Sequence, residues 1–431
     1  MKILLLVLFA ASSLSAAPPA ARSLQDTRAQ AEEGDAAAQY DLGLRHAKGD
    51  GLPEDATEAA KWFLKAAEQG HAEAQTKTGM CLLRGNGVPK DAAAAVQWLR
   101  KAAEQKNLAA MKQLGACYSL GSDVKKDTAE GAKWFRLAAE QGDTDAQMEL
   151  GLAYLDGEGV TQNAEEAMKW FTKAAEKGDL NAQKALATAY ALGERVKQDL
   201  KTAMVWFRKA AEQGDPEAQL KLGLAYSLGT GVPLDAKLSL RWIDKAIAQE
   251  YAPAMVELGV SYMVGSSVPV DAAKGVEWFR KAAEKGDAAG QMKLGLAYLT
   301  GTGVAKNSAE ALLWLRKAVD QNYAPALVAL GGCYLTGDSV SEDVAEAVRL
   351  FRGAADRGDS SGQFALSLQY ERGAGVEQNL VEALKWCRIA MAQGHEIAGA
   401  HLATLEASMT REQIYEGVRL AREWKTVTSA K

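Results

Sequence analysis

Cysteine and histidine are scarce, with four of each in 431 residues. That is too few for a disulfide-stapled scaffold or a metal-rich protein. Neither sign of charge dominates. Fifty Lys and Arg against fifty-five Asp and Glu leave a formal net charge of -5, which offers no electrostatic footprint for nucleic acid or an anionic membrane. Long apolar runs are missing too: residues 3–11 form an uninterrupted apolar stretch, well short of the ~18 residues that a bilayer span needs. What the chain does have is an ordinary globular balance, 48% hydrophobic and 24% charged. Disorder over most of the length is thereby excluded, and the length corresponds to about three domains of ~150 residues each.

The N-terminus reads as a secretory signal. Met1 and Lys2 form a short basic start, the apolar run follows, and Ser12, Ser13, Ser15, Ala16 and Ala17 supply small residues for cleavage after Ser15 or Ala17. Pro18 disfavours the second site, and no Cys lies nearby to carry a lipid. Residues 1–17 are therefore expected to be removed, leaving a periplasmic or secreted protein with no membrane insertion.

Internal repetition decides the architecture. Trp62, Trp98, Trp134, Trp170, Trp206, Trp242, Trp278 and Trp314 recur every 36 residues without an insertion; the next nodes are Leu350 and Trp386. Ten repeats thus run from residue 35 to 394. Repeat four, residues 143–178, shows the pattern. Asp143 is placed to cap a first helix, A, whose Ala146, Leu150, Gly151 and Tyr154 fall at helical spacing and form one buried stripe. Gly157 and Gly159 end it.

A Gly stands at the first of these loop positions in all ten repeats, from Gly49 to Gly373, as a left-handed residue after a helix requires. An Asp or Asn then opens a second helix, B, in every repeat (Asp55, Asp91, Asp127, Asn163, Asp199, Asp235, Asp271, Asn307, Asp343 and Asn379). Glu58, Glu130, Glu166, Glu310, Glu346 and Glu382 follow three residues later, so six capping boxes are expected. Helix B carries the Trp and an Ala present in all ten repeats, such as Ala174. One such hairpin cannot bury its own apolar surface; stacked neighbours can, and the outcome is an all-α solenoid.

These residues resemble the Sel-one-like repeats (SLR), relatives of tetratricopeptide repeats. The pattern A-x-A-Q-x-x-L-G-x-x-Y-x-x-G-x-G-V-P-x-D-x-x-x-A-x-x-W-F-x-K-A-A-E-Q-G is nearly legible in residues 216–250 and 288–322. The resemblance implies a right-handed α/α superhelix with helix A on the concave side, and a role as an adaptor in protein assembly. Many bacterial members are exported.

A second period overlies the first. The second loop Gly is present at Gly87, Gly159, Gly231, Gly303 and Gly375 but replaced by Asp123, Arg195, Ser267 and Ser339 between them. Alternate loops are expected to differ in backbone, because a side chain disfavours positive φ. At the ends, residues 18–34 read as a linker and a partial helix B, and residues 395–424 as a C-terminal cap whose last helix starts in a Thr410–Gln413 capping box. Residues 425–431 are expected to fray.

Reactive chemistry is hard to find. Cys81, Cys117 and Cys333 occupy one helix A position, where other repeats carry Ala153, Ala225 or Ala297, and read as small core residues. Cys81 and Cys117 sit at equivalent sites of adjacent hairpins, ~9 Å apart, beyond the ~7 Å reach of a disulfide. The cysteine-rich secreted SLR proteins that bind or hydrolyse β-lactams pair Cys in nearly every repeat, and this sequence does not. His395 and His401 are six apart, where zinc needs i and i+4; His71 lies at a turn and His46 replaces the repeat Tyr. No metal or cofactor is expected. Residues 357–362 spell RGDSSG, but a nucleophile elbow needs a strand before it, and the repeat explains Gly358 as a helix B terminator and Asp359 as a helix A cap.

What remains is surface. In helix A the third, seventh, tenth and fourteenth positions of the repeat form a stripe about opposite the core stripe. In repeats six to eight it presents Lys221, Leu224, Leu228, Glu257, Val260, Val264, Lys293 and Leu296, apolar residues bracketed by alternating charges and suited to a peptide. The reading is an exported, monomeric, non-enzymatic scaffold that binds a protein or peptide there. The alternatives are a β-lactam-binding or β-lactamase-like protein and a structural envelope protein.

Overall fold

The computed structural model describes residues 23–121, 124–193 and 195–424; the signal-like segment, Asp123 and the C-terminal tail lie outside them. Every regular element among the described residues is a helix, and each of the ten repeats supplies an A and B pair. The chain is an all-α solenoid. Two bodies are distinguished within it, residues 23–189 with 195–197 and residues 190–193 with 198–424.

Local signals act as the sequence implies. All ten first-loop glycines are left-handed, with φ between 68° and 79°. All ten Asp or Asn caps accept an amide of the first turn of helix B; Asp91 does so from Ala94 at 2.9 Å and Asn163 from Glu166 at 3.1 Å. Packing then follows from shape. In repeat four a side chain at Gly151 would fall on the ring of Phe171, which is itself buried, so helix A (Thr144–Asp156) lies close against helix B (Ala164–Glu176). Trp134 and Trp170 join Leu114, Phe135 and Leu150 in one core that runs through three repeats. The cores are thus shared between neighbours, as a one-dimensional array requires.

The six capping boxes do not form. In each of those repeats the cap N–H that the Glu would bind is already donated to a helix A carbonyl nine residues earlier. Asp55 donates to His46 at 2.9 Å, Asp127 to Tyr118 at 2.8 Å and Asn379 to Tyr370 at 2.9 Å. The carboxylates turn along their own helix instead. Glu58, Glu166, Glu346 and Glu382 pair with Lys61, Lys169, Arg349 and Lys385, while Glu130 and Glu310 accept the indole N–H of Trp134 and Trp314 at 2.9 and 3.0 Å. A complete capping box does start the last helix, Arg411–Glu423, between Thr410 and Gln413.

The expected alternation in loop backbone is also overturned. Arg195, Ser267 and Ser339 hold φ of 63°, 65° and 74°, as left-handed as the glycines they replace. The loop path is fixed at both ends, by the first-loop Gly and by the cap N–H bonded back to helix A, so the second position has no freedom to relax. A left-handed side chain costs about 1–2 kcal/mol, and each finds an offsetting partner. The Arg195 guanidinium donates to the Leu155 carbonyl at 2.7 Å, and the Ser267 and Ser339 hydroxyls bond those of Ser227 and Ser308 at 3.2 and 2.7 Å.

A buried polar staple ties a hairpin to the one before it. Helix A carries a Gln whose amide donates to the carbonyl of a helix B alanine, for example Gln75 to Ala67 at 3.2 Å and Gln147 to Ala139 at 3.1 Å. Its oxygen is satisfied by a second Gln at the end of the same repeat: Gln105 to Gln75, Gln249 to Gln219 and Gln321 to Gln291, all at 2.9 Å. In those repeats the buried amide is tolerated because both of its halves are bonded.

Candidate interaction surface

Helix A of repeats six, seven and eight spans Pro216–Leu228, Ala252–Val264 and Ala288–Thr300. Its inner face is core: Leu222, Gly223, Leu258, Leu294 and Gly295 are buried. The opposite stripe divides in two. Leu228 and Val264, at the helix ends, are 69% and 67% exposed, and Leu296 is 36% exposed. Leu224 and Val260, one turn earlier, are half-buried and pack into the cores around Ile243 and Phe279. At the tenth position the stripe therefore serves the stack as well as the surface, because the next hairpin covers one side of it.

The structure gathers Val260, Val264, Lys293 and Leu296 around one hollow of about 380 Å³, completed by Met263, Phe279, Ala297, Thr300 and Thr302. The Lys293 ammonium stands 5.8 Å from the centre of the Phe279 ring, over an otherwise apolar floor. Lys221, Leu224, Leu228 and Glu257 do not line it. Lys221 is exposed and Glu257 half-buried.

Two residues of this surface escape a reading confined to helix A. Leu234 and Val270, just before the helix B caps, are 70% and 66% exposed. They adjoin the helix A ends, since a side chain added at Gly229 or Gly265 would touch them. Eight repeats place Glu54, Lys90, Lys126, Gln162, Gln198, Lys306, Glu342 or Gln378 there; only repeats six and seven turn the position apolar. Aligning the repeats at this loop position is the signal that finds them. Leu120 and Leu192 are exposed at the helix A end of repeats three and five as well, but only repeats six and seven add an exposed apolar residue before helix B, so Leu228 with Leu234 and Val264 with Val270 make paired apolar edges of the kind that mark interaction sites.

Reactive sites do not assemble. Cys81, Cys333 and Cys387 are free thiols, and Cys117 is buried with them. Burial pushes the Cys81 and Cys333 thiols up and Cys387 up to about 11, which suppresses the thiolate that reactivity requires. His395 caps helix Glu396–Ala407 by accepting the Ala398 amide at 3.2 Å, and His401 lies 2.8 Å from the Glu371 carboxylate. Among the described residues, no cluster of three or more His, Cys, Asp or Glu could hold a metal ion, and no helix is long and apolar enough to cross a membrane. In RGDSSG, Asp359 accepts the Gly362 amide at 2.7 Å as a helix A cap. A larger hollow of about 690 Å³ lies between Tyr370, Trp386 and Trp424, where Lys385 pairs with Glu382 at 3.1 Å and Arg352 donates to the Tyr370 hydroxyl.

A stacked array of α/α hairpins defines an α-solenoid repeat protein. The Sel1 repeat model matches ten consecutive segments, from 36–71 to 360–395, and the chain belongs to that family. Sel1 repeat proteins are generally protein-interaction scaffolds. A protective antigen of uropathogenic Escherichia coli, with an SLR fold, is similar at 33% identity over 93% of this chain and 94% of its own, with a TM-score of 0.60. A Sel1 repeat protein from Oxalobacter formigenes is similar at 28% identity over 80% of this chain and 89% of its own, with a TM-score of 0.50. A search of the curated proteins found no match.

Proposed function

We propose that this protein is exported and acts as a non-enzymatic scaffold that binds a peptide or protein segment on the helix A surface of repeats six to eight. The observation that carries the reading is the exposed apolar edge of Leu228, Leu234, Val264 and Val270 beside the hollow at Val260, Lys293 and Leu296. The edge supplies burial to a partner, and the Lys293 ammonium beside the apolar floor supplies orientation. Each contact is weak and the sum is selective. The buried thiols are in keeping with a protein that holds other molecules rather than transforms them. Export rests on the signal-like residues 1–17 and is checked by N-terminal sequencing of the mature chain from the envelope fraction.

The binding test places a photo-crosslinking residue at Leu228 or at Val264 in the exported protein, identifies the captured chain, and measures its affinity for purified protein. The double substitution Leu228→Asp with Val264→Asp is expected to weaken that affinity tenfold or more, at least about 1.4 kcal/mol. Melting temperature and helical circular dichroism stay close to wild type, because both side chains are more than half exposed. Unchanged affinity moves the interaction to another face; unfolding assigns the two residues to the core.

A further inference from the structure

The polar staple is incomplete in repeat four. Five repeats join their helix A Gln to a second Gln thirty residues on, the bonds measuring 2.7–3.1 Å in repeats one, two, six, eight and ten. In repeats two, six and eight the second amide also donates to the Gly carbonyl that ends the preceding repeat. Two repeats that carry a cation at the second place have no amide to satisfy at the first: Lys285 faces Met255 and Arg357 faces Leu327 in register, and both cations bond elsewhere, Lys285 to Glu250 and Arg357 to Asn322. Repeat four alone combines Gln147 with Lys177. Lys177 reproduces the bond to the preceding repeat, donating to the Gly142 carbonyl at 2.7 Å, but no protein donor reaches the Gln147 Oε1. Gln147 is 3% exposed.

Gln147 lines a hollow of about 430 Å³ together with Trp170, Lys173, Lys177, Glu140 and Glu176. Lys173 is occupied over the Trp170 ring at 3.7 Å. Two residues of one hollow thus carry unused capacity: Gln147, whose buried Oε1 has no protein donor, and Lys177, which has three N–H groups and uses one on Gly142. An acceptor beside a donor complements a carboxamide, whose N–H would bond Gln147 and whose C=O would accept from Lys177. The sister repeats show the same oxygen position filled by a carboxamide N–H. A carboxylate in its place has no proton for Gln147 and meets Glu140 and Glu176 at the rim.

We propose that this hollow in repeat four is a binding site for the side-chain carboxamide of a partner polypeptide, a Gln in particular, separate from the surface of repeats six to eight and independent of it. The probe is the peptide acetyl-Gly-Gln-Gly-amide, titrated by calorimetry and by the shift of the Trp170 indole resonance, with acetyl-Gly-Glu-Gly-amide as comparison. The Gln peptide is expected to bind with a Kd at least tenfold lower than the Glu peptide. Lys177→Gln, which rebuilds the staple from within, is expected to raise the melting temperature and weaken Gln-peptide binding at least tenfold. Gln147→Met, the residue found in register at Met111 and Met255, is expected to fold and to lose the preference for Gln. Equal binding of the two peptides, a flat titration in which water alone satisfies the oxygen, or wild-type binding by both variants overturns the proposal.

Discussion

Gly159→Ala is expected to destabilise the first body by about 3 kcal/mol or more, whereas Gly70→Ala costs only about 1–2 kcal/mol. Both glycines are left-handed, with φ of 72° and 88°, so both substitutions carry the penalty of a side chain at positive φ. The difference lies in what the new methyl meets. At Gly70 it meets nothing within 4 Å, while at Gly159 it would overlap the carbonyl of Thr128 in the first turn of the preceding helix B. Backbone cannot rotate aside as a side chain can. Relief therefore requires repeat four to move away from repeat three, opening the core shared by Trp134, Leu150 and Trp170. Urea melts of the two variants decide the matter, and equal midpoints would show that the loop carries no interface.

Ending the chain at Gly394 should produce the other large effect. The helices Glu396–Ala407 and Arg411–Glu423 both cover helix B of repeat ten, Leu380–Ala392. Without them Leu384, Cys387 and Ala390, now buried, face water, and Trp386 loses its edge-on contact with Trp424 at 5.7 Å. At about 1.5–3 kcal/mol for each large side chain uncovered, repeat ten loses several kcal/mol and frays. The extensive contacts of both helices are with repeat ten, and Ala421 also joins the core of Val348 and Phe351 in repeat nine. Helical circular dichroism should fall by little more than the share of the lost helices and the frayed repeat, with a lower melting temperature and a broader transition. A truncated protein devoid of helical signal would refute a stability that adds up from neighbour to neighbour.

What could be read from the sequence was what is local. Asp91 caps a helix and Gly157 ends one through atoms within four residues of themselves, so spacing alone exposes them. The errors arose where a distant group competed. Glu58 has the right spacing for a capping box, but the Asp55 amide is bonded to His46 before Glu58 can reach it. Ser267 disfavours positive φ in isolation, yet both ends of its loop are pinned and Ser227 is at hand. Leu224 and Val260 fall on the outward stripe of helix A, and only the stacked neighbour makes them half core. The Gln staple was hidden for the same reason, since Gln75 and Gln105 look like polar residues on separate helices until the fold sets them 2.9 Å apart. Leu234 and Val270 were visible in the sequence, but in a loop that amphipathic analysis passes over.

The cap amides bonded back to helix A bear on how the molecule opens. Asp55, Asp127, Asn163 and their counterparts stand at exposed turns, where a backbone N–H would ordinarily trade its proton with solvent within seconds. Here each is held by a carbonyl in the last turns of helix A. Its deuterium uptake therefore requires the first turn of helix B to part from helix A, and the smallest excursion that frees it is the opening of the hairpin. Exchange at these surface amides would report the hairpin as the cooperative unit of breathing, with repeat boundaries as the seams between units.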